Sequence, residues 1–381
     1  MSDPGNWRFT LVLGGGGMRG LAHIGALRAL VERGWVPHEV IGTSIGALVA
    51  ATWAVGFTLA EMEQFCLGLR RRDIFQIAHA DMAIKRLRTP SLYKAEPLEH
   101  LIRGFVGDAT FNDLARALIV NSVEINSGMQ VYWGLPGLRD VAVADAVFAS
   151  CSLPGFFPPR EIQGRHFVDG ALVDNLPVRL AAARGASAVV AIDVGATSVL
   201  RAETQERGFA ALSTRASEIV FQQTAEWHLA AWTTPPLLLV QPRVEHVPMF
   251  SFEHAQALMD EGFRATTAAL DQAGVVVRQA TGGIYPRRPV QVRVLRERCI
   301  GCGACVALEP QLFRMDESGK AVGPDEPYEW SPIDGGFIRH CPTYAITARP
   351  VHLPQASRGA GAGPAGASTG DGSRGTARAR P

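Results

Sequence analysis

RFTLVLGGGGMRGLAHIGALRALVERGWVPHEVIGTSIGALVAATWAVG, residues 8–56, carries the same set of signals twice. RFTLVL is a short apolar run of the kind that forms a buried strand, and it ends in glycines. Leu21 to Arg33 then places its apolar residues at helical spacing. Val36 to Ile41 is a second short apolar run, which GTSIG turns into another apolar helix. Strand, tight turn and helix in repetition predict an α/β fold. Outward from this stretch, Leu118 to Ser122, Ala188 to Val194 and Pro236 to Val240 read as further strands. They alternate with helical stretches at Ala210 to Thr233 and Phe252 to Ala273, a pattern that predicts a largely parallel sheet.

With 381 residues, 47% of them hydrophobic, the chain can bury at least one large core and has length for two or three domains. Its 37 Lys and Arg against 36 Asp and Glu create no global field, which argues against a nucleic-acid partner and requires any membrane affinity to come from a local patch. The N-terminus does not fit a secretory signal, and no stretch approaches the ~20 apolar residues of a membrane span. The expected location is the cytoplasm or its membrane face. Gly274 to Arg288, with TGG and PRRP, reads as a linker. The expected division is a domain over 1–275, a linker over 276–290, a cysteine-bearing domain over 291–352 and a disordered tail over 353–381, rich in Gly, Ala, Ser, Thr, Pro and Arg.

Gly42-Thr43-Ser44-Ile45-Gly46 is a G-x-S-x-G pattern. In a chain with 40 glycines the pattern alone is weak, and a serine capping an ordinary glycine-lined turn would satisfy it. Its place between strand and helix gives it meaning. Gly42 and Gly46 allow a sharp elbow that exposes the Ser44 hydroxyl at a helix N-terminus. The glycine run Gly14-Gly15-Gly16-Gly17-Met18-Arg19-Gly20 also joins a strand to a helix, and adjacent glycine amides can converge on an oxyanion. Gly15, Gly17 and Gly20 fit a dinucleotide-binding G-x-G-x-x-G as well, but the acidic residue expected ~20 positions later is missing, because that strand runs directly into the serine turn. No Gly-Lys-Ser/Thr follows, which excludes a phosphate-binding P-loop. A serine needs a base. Asp169-Gly170, after a short apolar run, presents a carboxylate at a turn, although an isolated Asp-Gly is more often a plain turn.

GGGMRG, GTSIG, ASCSLPGFFPP (149–159) and DGALVDNLP (169–177), in that order, resemble the patatin-like phospholipase family over roughly residues 7–270. The resemblance implies a three-layer α/β/α fold with a mainly parallel sheet and a Ser-Asp dyad acting on a lipid or acyl ester. Ser44 would be the nucleophile, Asp169 the base, and the backbone of Gly15, Gly16 and Gly17, with Arg19 beside it, the oxyanion hole. Two positions depart from the family pattern: Gly-Ala follows Asp169 where Gly-Gly is common, and Cys151 lies in the Ala-Ser stretch. His23 reads as a core histidine and His166 as a turn residue, so a triad is not expected. Arg70, Arg71 and Arg72 with Lys85, Arg86 and Arg88 could rest on anionic headgroups, with Phe156-Phe157 or Ile74-Phe75 near an acyl pocket; solvated helix ends are the plainer reading.

Cys299, Cys302 and Cys305 form C-x2-C-x2-C, and Cys341-Pro342 follows downstream. The spacing suits three thiolates around one corner of an iron–sulfur cube with a remote fourth ligand; four thiolates also suit zinc, which is the alternative. Residues 292–347 resemble a single-cluster bacterial-type ferredoxin, a small α+β domain. That resemblance implies one 4Fe-4S cluster on Cys299, Cys302, Cys305 and Cys341, serving a redox partner, sensing oxidation or stapling the domain. The competing function is electron transfer by a chain whose N-terminal domain binds lipid or dinucleotide without hydrolysis.

Overall fold

A computed structural model describes residues 8–78, 91–195, 208–273, 277, 280–331, 333–334, 337–338 and 340–351. The expected tail and Lys85, Arg86 and Arg88 lie outside the described residues.

Nine strands make the main sheet: β1 (Phe9–Leu13), β2 (Glu39–Thr43), β3 (Ala117–Glu124), β4 (Gln130–Trp133), β5 (Arg160–Ile162), β6 (Arg165–Asp169), β7 (Ala188–Ile192), β8 (Leu237–Val240) and β9 (Gly283–Ile284). Their order is β5-β6-β3-β2-β1-β7-β8-β9, with β4 also paired to β3. From β3 through β9 every pairing is parallel, and only the β4, β5 and β6 edge is antiparallel. All five residues of β1 are buried, as the unbroken apolar run requires of a strand covered on both faces. Successive side chains point to opposite faces. Phe9, Leu11 and Leu13 accordingly join one core and Val12 the other.

The first core is closed by α1 (Ala22–Glu32), α2 (Ile45–Ala54), α3 (Leu59–Gly68), α4 (Glu96–Val106) and α5 (Val143–Cys151). The second holds Val178 and Ala181 of α6 (Val178–Ala183) and Ala225 and Leu229 of α7 (Phe209–Ala230). A last long helix, α8 (Ala255–Ala273), lies on the first face against α1. The expected three-layer α/β/α arrangement is present.

The smaller domain has a three-stranded antiparallel sheet ordered β13-β10-β14, made of β10 (Arg288–Val294), β13 (Tyr328–Trp330) and β14 (Ile346–Pro350). A short helix, α9 (Ala304–Leu308), and the hairpin of β11 (Arg314–Met315) and β12 (Ala321–Val322) complete it. Val290, Val292, Phe313, Trp330 and Phe337 form its core. The stretch expected to link the domains is built into both. Gly283–Ile284 pairs with β8, the Tyr285 hydroxyl donates to the Leu229 carbonyl at 2.9 Å, and buried Arg288 reaches Glu245 at 3.0 Å and the Gln241 carbonyl at 3.1 Å.

α1 follows directly from the glycine run, so its seat fixes that loop. It packs on α8 through two glycines: a Cβ on Gly25 would stand 1.8 Å from the Met259 carbonyl oxygen, and one on Gly262 would stand 1.9 Å from the Ala22 carbonyl oxygen. Both obstacles are backbone, which cannot rotate aside. Gly25→Ala or Gly262→Ala must therefore push the helices apart, at a cost of about 2 kcal/mol or more. Chemical denaturation should show this loss, and an unchanged midpoint would contradict the close packing.

Candidate active site

Ser44 is the junction of β2 and α2, with φ 54° and ψ −126°. A non-glycine residue at positive φ is costly and persists only when its surroundings impose it. Here they do. A Cβ on Gly42 would fall 2.6 Å from the Ala47 amide nitrogen, and one on Gly46 would fall 2.2 Å from the Leu13 carbonyl oxygen, so the elbow closes only with glycine at both positions. The Ser44 amide donates to the Ser150 hydroxyl at 2.8 Å, tying the elbow to the end of α5.

Asp169 ends β6, where its amide donates to the Ser152 carbonyl at 3.0 Å and its carboxylate accepts from the Ala171 amide at 2.9 Å. The Ser44 side chain lies beside the carboxylate and helps to hold its charge. Asp169 is 2% exposed. Burial outweighs both the Ala171 hydrogen bond and the Ser44 contribution and pushes its carboxyl from 3.8 up to about 7. Cys151 sits between Ser150 and Ser152, close to both Ser44 and Asp169; burial and then the Asp169 charge push its thiol up, so it stays protonated.

The glycine loop is organised differently from the sequence expectation. The Gly15 amide is occupied, donating to Asn175 Oδ1 at 2.9 Å, while Asn175 Nδ2 donates back to the Gly15 carbonyl at 3.2 Å. Gly15 is thereby removed from the expected set of oxyanion donors. Gly15, Gly16 and Gly17 all line the cavity with Ser44 and Asp169, but of the three amides only that of Gly15 is taken up in this way among the described residues. Gly17 adopts φ 60°, and a Cβ there would strike the Met249 carbonyl oxygen at 2.4 Å. Arg19, expected beside the oxyanion hole, turns away from the cavity. It is fully buried, donating through Nε to the Val247 carbonyl at 2.6 Å and pairing with Glu218 of α7 at 3.0 Å. A guanidinium in that position needs such partners to offset its lost hydration, and its role is to fasten the loop to α7. His23 is buried with Nε2 2.8 Å from the Gly14 carbonyl, and burial lowers its pKa to about 4, so it stays neutral beneath the loop. His166 lies on β6 with its side chain exposed, away from the serine.

Ser44, Asp169, Gly16 and Gly17 open into a cleft of ≈640 Å³ whose other walls are apolar, among them Leu48, Ile74, Phe75, Leu153, Phe157 and Phe250. A second apolar hollow of ≈450 Å³ shares Met18, Ile45, Leu48 and Ile74 with it and continues between α2, α3 and α4. Of the expected pocket residues, Ile74, Phe75 and Phe157 face this cleft, whereas Phe156 lines a different cavity together with Arg71 and Tyr93.

In the smaller domain Cys299, Cys302, Cys305 and Cys341 line one cavity. Two sulfurs already accept backbone hydrogen bonds, Cys341 from the Ala345 amide at 3.2 Å and Cys299 from the Ala321 amide at 3.5 Å. Burial pushes the Cys341 thiol up, but hydrogen bonds from the backbone of Thr343, Ala345 and Ile346 outweigh it and lower the thiol overall. Among the described residues no three His, Cys, Asp or Glu side chains converge as ligands of a single ion would.

These constraints define a class of α/β proteins that present a serine nucleophile at the carboxyl edge of a parallel sheet. Residues 11–182 match the family model of patatin-like phospholipases, and residues 292–334 match that of a 4Fe-4S single cluster domain. The chain joins a stretch similar to patatin-like phospholipases to a stretch similar to 4Fe-4S single cluster domains. It is 28% identical over 295 residues to an uncharacterized NTE family protein of Mycobacterium tuberculosis, covering 70% of this chain and 47% of that one. It is 35% identical over 189 residues to Lysophospholipase NTE1 of Candida glabrata, covering 49% of this chain and 10% of that one. The chain thus spans about half the length of the mycobacterial relatives it matches. Among solved structures, VipD from Legionella pneumophila is similar at 15% identity and TM-score 0.41, covering 70% of this chain and 67% of that one. The type III effector ExoU of Pseudomonas aeruginosa is similar at 16% identity and TM-score 0.38, covering 70% of this chain and 54% of that one.

Asp169 is expected to make stability depend on pH. Its folded pKa, about 7, exceeds the ordinary 3.8, so folding is favoured by its protonated form and that contribution is lost as pH rises from about 4 through about 7. Asp169→Asn keeps the Ala171 hydrogen bond without the buried charge. At pH 8 its melting temperature should exceed that of the wild type, and at pH 4 the gap should close; equal gaps at both values would contradict a carboxylate buried in this way.

Proposed function

We propose that the patatin-like domain hydrolyses acyl esters of lipids with Ser44 as nucleophile and Asp169 as its base. The observation that carries this reading is Ser44, on a strained strand-to-helix elbow, sharing an apolar cleft with a buried carboxylate. Asp169, at about 7, can take a proton near neutral pH and return it. As Ser44 Oγ attacks the ester carbonyl, its proton passes to Asp169, and the carbonyl oxygen, now negative, is held by the Gly16 and Gly17 amides. Collapse of the intermediate expels the alcohol, which leaves with the proton from Asp169. Water then attacks the acyl-serine, again giving its proton to Asp169, and the acid departs as Ser44 is restored. The two adjoining apolar hollows suit a lipid chain rather than a water-soluble acyl group.

Dinucleotide binding is the weaker reading. β2 ends in Ser44, where that chemistry needs an acidic residue for the ribose. In addition, a Cβ on Gly15 would stand 3.1 Å from the Ser44 Cβ, so the loop packs against the serine.

The smaller domain is proposed to hold one 4Fe-4S cluster on Cys299, Cys302, Cys305 and Cys341. Four thiols lining one cavity, three of them at C-x2-C-x2-C spacing, and the match to a 4Fe-4S single cluster domain support a cluster over a single zinc ion. When bound, such a group supplies one-electron transfer. The chain's own contribution is to bring the four sulfurs to one cavity and to stabilise Cys341 as a thiolate through backbone amides such as that of Ala345.

Against long-chain acyl esters, kcat/KM should rise with pH through about 7. Ser44→Ala should lower it at least about 10³-fold without unfolding the protein. Turnover retained in the folded variant would remove Ser44 from the mechanism. Anaerobically purified protein should contain ~4 iron and ~4 sulfide per chain, lost in Cys341→Ser. Stoichiometric zinc in place of iron would contradict the cluster assignment.

A further inference from the structure

The segment that follows β8, Gln241 to Phe250, carries acceptors on which the glycine loop rests. Its Val247 carbonyl accepts from Arg19 Nε at 2.6 Å, and its Met249 carbonyl accepts from the Met18 amide at 2.7 Å. The same Met249 carbonyl oxygen would stand 2.4 Å from a Cβ on Gly17. Val244 and Val247 are buried, and the Val247 amide donates to the Val244 carbonyl at 3.0 Å, so the segment is a folded turn that moves as a piece. A shift of this turn displaces Gly17 and Met18 with it.

The smaller domain grips the beginning of that segment. Arg288, the first residue of β10, is buried, and it donates through Nη2 to the Gln241 carbonyl at 3.1 Å and through Nη1 to Glu245 Oε1 at 3.0 Å. A rigid, planar guanidinium bound to two acceptors fixes their separation. Gln241 also acts through its side chain: Nε2 donates to Asp193 Oδ2 at 2.8 Å, and Asp193 Oδ1 accepts from the Gly195 amide at 2.9 Å. Val194 lies between those two residues, and a Cβ on Gly16 would stand 2.8 Å from its Cγ2. Arg288 therefore bears on Gly17 by way of Met249 and on Gly16 by way of Val194. Helix α8 adds a further hold, since Glu261 Oε1 accepts from the Arg243 amide at 2.6 Å. Beyond its far end β10 continues into Leu295, whose carbonyl accepts from the Cys299 amide at 3.1 Å. One strand thus runs from the support of the glycine loop to the cysteine cavity.

We propose that Arg288 is a positioning residue for the oxyanion loop, through which the smaller domain braces Gly16 and Gly17 for reaction at Ser44; the catalytic consequence rests on the acyl-hydrolase reading, whereas the brace itself does not. Oxyanion donors act only when they are aligned on the developing charge, so a small displacement lowers kcat. Lipid binding depends instead on the apolar cleft, which Arg288 does not line. Lysine cannot replace the guanidinium in full, because an ammonium is a point charge without the fixed fork that spans both acceptors.

The test uses the full-length protein with Arg288→Gln, Arg288→Lys or Glu245→Ala, and Ile119→Ala in the second core as a control for lost packing away from the segment. In Arg288→Gln, kcat against a long-chain acyl ester should fall about tenfold or more while KM stays within about twofold. Affinity for an alkyl trifluoromethyl ketone, whose adduct with Ser44 places an oxyanion at the loop, should fall by a similar factor. Hydrogen exchange in peptides spanning residues 14–20 should quicken, and exchange in α4 should match the wild type. Arg288→Lys and Glu245→Ala should show the same pattern more weakly, and they carry the test where Arg288→Gln does not fold. Unchanged kcat and unchanged exchange at 14–20 in the folded variants, a rise in KM alone, or the same changes in Ile119→Ala would overturn the proposal. Wild-type protein that neither turns over esters nor binds the ketone would remove the hydrolase reading, and the exchange measurement would still decide the brace.

Discussion

The Asp169 carboxylate lies beside Ser44 where water has been excluded, and that exclusion is the constraint the rest of the domain serves. A buried carboxylate is expensive, and the Ala171 amide and the neighbouring Ser44 only partly offset the cost, leaving Asp169 at about 7. The same expense makes it useful, since a base that titrates near neutrality exchanges protons readily with serine and alcohol oxygens. A solvated aspartate would keep its charge more cheaply and serve as a weaker base.

Much of the surrounding chain holds those two groups in register. The residues at 149–153 work from both sides: the Ser150 hydroxyl accepts from the Ser44 amide, and the Ser152 carbonyl accepts from the Asp169 amide. The end of α5 thus fixes nucleophile and base to a common support. Asn175 does the same for the glycine loop, holding the Gly15 amide and carbonyl so that Gly16 and Gly17 face the cleft. Arg19 and Glu218 then bind that loop to α7.

The parts of this arrangement that are local in sequence were legible there. β1 and β2 announce themselves as unbroken apolar runs because both of their faces are covered, and Gly42 and Gly46 mark the elbow because backbone approaches both positions. The antiparallel edge was not legible. β4, β5 and β6 are short and only partly buried, so none shows a sustained period. β9 has two residues, too few to show a period, so its segment read as linker. Long-range polar contacts leave still less trace. Asn175 lies 160 positions from Gly15 and Glu218 lies 199 from Arg19, so local reading made Gly15 an oxyanion donor and placed Arg19 beside the oxyanion hole. For Asp169 the Asp-Gly turn alone was ambiguous, and the ordered set of motifs supplied its role.

The central claim is that Asp169 activates Ser44, and labelling with an alkyl fluorophosphonate tests it most directly because the reagent needs the nucleophile but no particular lipid. The account predicts one adduct, mapped by mass spectrometry to Ser44, forming at a rate that rises with pH through about 7 in the wild type and is slow at every pH in Asp169→Asn. An adduct on another residue, or labelling of Ser44 as fast in Asp169→Asn as in the wild type, would contradict it.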